Sequence, residues 1–171
     1  MPAIRFLSIV SGRIKELAAT VVSAGAADDG KIPALDASGK LDASLMPAGI
    51  GANTVAAVAS EALAANDVVN LWDNGGTVNA RKADATAEGK EVSGFVKAAV
   101  AQAANATVYL PGNTITGLTG LTPGSRQYAS TSPGALTEVP PSTAGNVLQL
   151  VGIAASDTSV IFEPEEPITR A

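Results

Sequence analysis

The placement of glycine and proline constrains this chain more than any other feature. Beyond residue 67, short apolar and β-branched runs alternate with turn-forming clusters: Asp73-Asn74-Gly75-Gly76, Pro111-Gly112-Asn113, Pro123-Gly124, Pro133-Gly134 and Pro140-Pro141. Gly supplies positive φ at little cost and Pro lacks an amide donor, so regular structure stops at such clusters. The runs between them read as strands: 68–72 and 77–82 as one hairpin, then 92–101, 107–110, 126–130, 146–154 and 159–163. Strands at this spacing predict an all-β fold, a small antiparallel barrel or sandwich, and not an α/β one. Residues 56–65 are Ala-rich and fit a short helix or a strand equally well.

Two segments precede this domain, which spans residues 53–171. In residues 1–24, Leu7, Val10, Ile14, Leu17 and Val21 have helical 3-4 spacing. A competing hairpin has Ser11-Gly12 as its two-residue turn, with β-branched residues on either side. Gly12 inside a helix costs about 1 kcal/mol, and the Val, Ile and Thr content favours strand, so the hairpin is the preferred reading. Residues 25–52 read as an extended Gly/Pro-punctuated arm that contains a near-repeat of period nine: Gly30-Lys31-Ile32-Pro33-Ala34-Leu35-Asp36-Ala37-Ser38, then Gly39-Lys40-Leu41-Asp42-Ala43-Ser44-Leu45-Met46-Pro47. Pro33 and Pro47 bias their predecessors towards extended backbone. The knobs Ile32, Leu35, Leu41, Leu45 and Met46 are too sparse for a core, so this extended arm needs another surface to lie against.

Composition then narrows the chemistry. Of 79 apolar residues 33 are alanine, so the chain buries less than its 46% hydrophobic content implies. No cysteine excludes disulfides and thiolate chemistry, and no histidine removes the commonest general base and metal ligand. A net charge of −5 without basic clusters argues against nucleic acid or anionic membrane as a partner, and no apolar run is long enough to span a bilayer. The segment Gly25–Lys31 imitates half of a phosphate-binding loop. Ile32 stands where a hydroxyl belongs, Asp28 and Asp29 repel phosphate, and Pro33 blocks the following helix. The acidic residues form no calcium loop, and Glu163, Glu165 and Glu166 read as a solvated tail. Trp72, Phe95, Tyr109, Tyr128 and Phe162 are the expected core anchors, with a binding role for Trp72 or Tyr128 as the competing reading. No catalytic, cofactor-binding or metal-binding residue is expected. A carboxylate-based hydrolase or lyase is the one catalytic reading left, and it lacks a paired-carboxylate motif.

The arm resembles the GK-I-x-x-LD…GK-LD-x-S-L-x-P segment of virion proteins from tailed bacteriophages, among them head-decoration (cement) proteins, head fibres and tail-fibre N-termini. Downstream, residues 117–124, Tyr128, Ser132-Pro133-Gly134, Pro140-Pro141, Gly145-Asn146-Val147, Gln149, Val151-Gly152 and Phe162-Glu163-Pro164 resemble the β module such proteins carry. The resemblance covers most of residues 28–164 and implies no enzymatic residues. It implies a capsid decoration protein, made in the host cytoplasm and placed on the outer head surface as a homotrimer. Its arm residues Ile32, Leu35, Leu41, Leu45 and Met46 would then contact major capsid protein or a sister subunit. A head-fibre or tail-fibre receptor-binding module is the rival reading.

Overall fold

The computed structural model describes residues 4–46 and 51–171, which fall into two compact units, Met1–Gly51 and Ala52–Ala171. Pro47 lies outside the described residues.

The first unit begins with the hairpin. β1 (Arg5–Val10) pairs antiparallel with β2 (Arg13–Ala18) in unbroken register, from Arg5↔Ala18 to Val10↔Arg13. Ser11 and Gly12 have φ of 54° and 74°, the left-handed pair that a two-residue turn needs to match right-handed strand twist. The helical spacing is therefore overridden by turn chemistry. Extended backbone follows, interrupted by two 3-10 turns, Gly25–Asp28 and Ala43–Leu45. It is tied back to the exit of the hairpin: Thr20 donates its N–H to the Ile32 carbonyl (2.9 Å), and Ala34 donates to the Thr20 carbonyl (2.8 Å). Ala34 is the one buried residue among the described residues of this unit.

The second unit is all-β and holds two layers of core. Five strands close a barrel: β3 (Thr54–Ala59), β4 (Val68–Asp73), β5 (Val78–Lys82), β6 (Gly94–Val96) and β7 (Asn105–Tyr109), in the order β3-β5-β4-β6-β7. The ambiguous Ala-rich stretch gives residues 56–59 to β3 and leaves 60–65 as bends and a turn with an isolated Leu63–Val100 bridge, so it forms no helix. The barrel is not wholly antiparallel, because β3 runs parallel to β5 through Val58↔Asn79 and Ala59↔Ala80. Its interior is filled by Ala57, Ala59, Leu63, Val69, Ala80, Val96, Ala106 and Val108. Barrel diameter grows with strand number, and five strands leave room for little more than methyl and isopropyl groups. The alanines of β3, β5 and β7 thus suit a barrel this narrow.

A second sheet has the order β10-β9-β12-β13-β8, built from β8 (Asn113–Thr116), β9 (Arg126–Ala129), β10 (Leu136–Thr137), β12 (Leu150–Ser156) and β13 (Ser159–Phe162). A short pair, β11 (Val147–Leu148) and β14 (Ile168–Thr169), completes the unit. Neighbouring residues on barrel strands point to opposite sides, so Val69 and Val96 enter the barrel while Val68 and Phe95 leave it. Val68 and Phe95 meet Ile115, Ala129, Val151, Val160 and Phe162 of the second sheet. Phe95 stacks on Tyr109 with ring centroids 5.3 Å apart and meets Phe162 edge-on at 5.2 Å.

Several strand expectations change. Residues 92–101 form a strand only at Gly94–Val96, because Val100 turns away to exchange both backbone hydrogen bonds with Leu63 (2.9 Å each). The run 146–154 splits at Gln149, where pairing passes from β14 for Val147–Leu148 to β9 and β13 from Leu150 onward. β8 was hidden between turn signals on either side of it. At the β4–β5 turn, positive φ falls on Gly75 and Gly76 and not on Asn74, while Asp73 accepts from the Gly76 N–H (2.8 Å). Trp72 and Tyr128 belong to neither buried cluster. Trp72 donates its indole N–H to Ser60 Oγ (3.1 Å) beneath the Arg81 guanidinium, a cation–π packing position at the barrel wall.

Candidate interaction surface

The arm residues share a loop whose backbone is fixed by its own polar groups. Two copies of Leu-Asp-Ala-Ser, at 35–38 and 41–44, each form an Asx turn, which leads into a simple turn in the first and a 3-10 turn in the second. Asp36 Oδ1 accepts from the Ser38 N–H (2.8 Å), the Ser38 hydroxyl (2.7 Å) and the Lys40 N–H (2.9 Å). Asp42 Oδ1 accepts from the Ser44 N–H (2.9 Å) and hydroxyl (2.6 Å), capping the second 3-10 turn. An Asp side chain that satisfies the amide two residues on makes an Asx turn, which orders a short segment with no core beneath it. The structurally meaningful repeat is therefore this tetrapeptide with a spacing of six, where a period of nine was expected from the Gly-Lys pairs.

The ends of the loop are closed as well. The Ser23 N–H donates to Ser44 Oγ (2.8 Å), tying the segment before the first 3-10 turn to the second. Asp28 accepts from the Ala24 N–H (2.6 Å) and from Lys31 Nζ (2.5 Å). The lysine of the phosphate-loop imitation is thus already paired with a carboxylate. Thr20, Asp28, Pro33 and Leu45 line an open depression of about 430 Å³ at this end.

On this frame the expected contact residues point outward. Ile32 is 49% exposed, Leu35 53%, Leu41 43% and Met46 40%, while Leu45 is half-buried in the depression. Ordering such a segment without burying its large apolar side chains leaves them available to another surface.

The carboxylates that shape the loop are held below the usual Asp value of 3.8. For Asp36 the main cause is the Lys40 N–H, for Asp42 the Ser44 hydroxyl, and for Asp28 the Ala24 N–H. A depressed carboxyl pKa means that the ionised form favours the folded turn. That contribution is complete above the unfolded pKa and disappears as pH falls through the folded one. The amide resonances of Ser38, Lys40 and Ser44 should hold steady from neutrality to about pH 4 and shift together only below it. Midpoints above about pH 4.5 would contradict this assignment.

A second surface escaped the sequence reading. Outward-facing Ile153 and Ile161 pair across β12 and β13, and Leu150 pairs with Tyr128 across β12 and β9. Leu150 and Glu165 border two adjoining grooves of about 170 and 240 Å³, the second containing Tyr128. The signal was present in β12, where Leu150, Val151 and Ile153 put apolar residues on both faces. Glu163, Glu165 and Glu166 are exposed along its rim. Their backbone is nonetheless tethered, since the Glu163 and Glu165 N–H groups donate to the Val151 and Leu150 carbonyls (3.0 and 2.9 Å).

Among the described residues, no group of three or more Asp or Glu side chains comes together to hold a metal ion, and no helix is long and apolar enough to cross a membrane. No protein-family model, curated protein or solved structure matches the chain.

Proposed function

We propose that this chain is a non-enzymatic capsid decoration protein of a tailed bacteriophage, seated on the outer head surface as a homotrimer. One observation carries the reading: a loop ordered by its own Asx turns leaves Ile32, Leu35, Leu41 and Met46 uncovered. The resemblance of this segment to the arms of phage virion proteins supplies the partner, major capsid protein. A preordered loop loses little conformational entropy on docking, so apolar contact translates efficiently into affinity. Laid across a boundary between capsid subunits, it acts as a staple, and three arms on one trimer bind with far greater avidity than one.

The test uses Leu35→Asp with Leu41→Asp in the full chain. Both sites are exposed, so the fold survives. Burying a leucine is worth about 1.5–3 kcal/mol, so affinity for heads lacking the protein should fall at least about a hundredfold in a pelleting assay. Unchanged pelleting would remove the arm from the interface. Copy number separates this reading from the fibre module: hundreds per particle support decoration, a handful a fibre.

A further inference from the structure

We infer that the N-terminal hairpin is a self-association element, packing its Leu7, Ile9 and Ile14 face against the same face of other copies of the chain. The register assigns the side chains. Directly paired residues share a face, so Arg5, Leu7 and Ile9 lie with Ala18, Glu16 and Ile14, and Phe6, Ser8 and Val10 lie with Leu17, Lys15 and Arg13. The two faces differ in burial. Phe6, Val10 and Leu17 are half-buried, whereas Leu7 is 73% exposed, Ile9 75% and Ile14 73%. These three include the most exposed large apolar side chains of the hairpin, and they sit together at its turn end.

Charge selects the occupant. The exposed apolar face carries one cation and one anion, Arg5 and Glu16, already paired at 3.3 Å. It is electrically neutral, so a second copy meets it without repulsion, and Arg5 and Glu16 can exchange partners across a symmetry axis. The other face carries Arg13 and Lys15 with no acidic residue, so two copies stacked through it would oppose like charges. A lone two-stranded hairpin is marginally stable in water, and burial against its own kind supplies the missing layer. The decoration reading assigns the arm to the shell. This inference rests on the homotrimer of that reading and names the surface through which copies meet: a monomer overturns both, whereas loss of head binding by the arm variant leaves the hairpin contact standing.

The chain has no cysteine, so a single introduced thiol reports on one face. Ile9→Cys in the full-length protein should give a covalent dimer under mild oxidation, and Lys15→Cys, on the opposite face, should stay largely monomeric on a non-reducing gel. Sedimentation equilibrium provides an independent readout: the unmodified protein should run as an oligomer and Ile14→Lys should lose that mass while keeping the melting transition of the barrel. Equal cross-linking at both positions, or an oligomer untouched by Ile14→Lys, would overturn the inference. A monomeric unmodified protein would do the same, since the face would then be covered by the chain itself or by a different protein.

Discussion

Replacing Gly152 by alanine should cost about 3 kcal/mol or more and lower the melting temperature by roughly 10 °C. Gly152 lies in the middle of the second sheet, paired with Phe162 on one side and Gln127 on the other, where the register of β12 against β9 shifts. A Cβ there would stand 2.0 Å from the Ile161 carbonyl oxygen and 3.0 Å from Val160 Cγ1. The obstacle is backbone, so no rotamer change relieves it. The strands must separate at a point where the core depends on Val151 and Val160, both fully buried. Gly145→Ala is the matched control: its φ is +82° but nothing lies within 4 Å, so it pays only the left-handed backbone cost of about 1–2 kcal/mol. Thermal denaturation followed by circular dichroism reads both. A Gly152→Ala protein melting with or above Gly145→Ala would refute the steric account.

Gln149→Leu should cost about 3–5 kcal/mol, although leucine is apolar and the site is buried. The Gln149 side chain acts as a piece of backbone. Its Oε1 accepts from the Val92 N–H (2.7 Å), and its Nε2 donates to the Val92 carbonyl (3.1 Å) and the Glu165 carbonyl (3.1 Å). Leucine leaves the Val92 N–H and carbonyl without partners beside a packed core, and each orphaned group costs about 1–3 kcal/mol. Gln149→Glu separates polarity from shape. A carboxylate keeps the acceptor, loses both donors and faces two carbonyl oxygens, so its pKa rises in the folded state. A raised carboxyl pKa favours the protonated form on folding, so the variant should regain stability relative to the parent as pH falls from about 7 to about 4. Urea unfolding at both pH values measures this. A Gln149→Leu protein as stable as the parent would show that Val92 finds other partners.

The same residue marks the limit of sequence reading. A strand over 146–154 is the natural inference from its apolar run, yet pairing changes partner at Gln149, from β14 to β9 and β13, and the Gln149 side chain reaches Val92, 57 residues away. No local pattern encodes such a partner. β8 was missed for a related reason: Asn113–Thr116 is only four residues long and is recognised by its pairing with β13, not by its composition. The arm was legible in outline, because Pro33, the Gly-Lys pairs and the isolated apolar residues act locally. Its internal order was not, since the Ser23–Ser44 hydrogen bond joins residues 21 apart.

Alanine shows both sides of this division. By itself, the sequence determined an all-β domain with strands ended by Gly and Pro, and too little side-chain volume for a large core. Those are consequences of φ preference, missing donors and methyl-sized side chains, and they need no knowledge of what lies nearby. The tertiary structure decided where that small volume goes. Ala57, Ala59, Ala80 and Ala106 line the inside of a five-stranded barrel, whose curvature admits small groups, while Phe95 and Phe162 fill the wider space outside it. Which face a strand buries depends on closure and register, and both are set by residues distant in sequence.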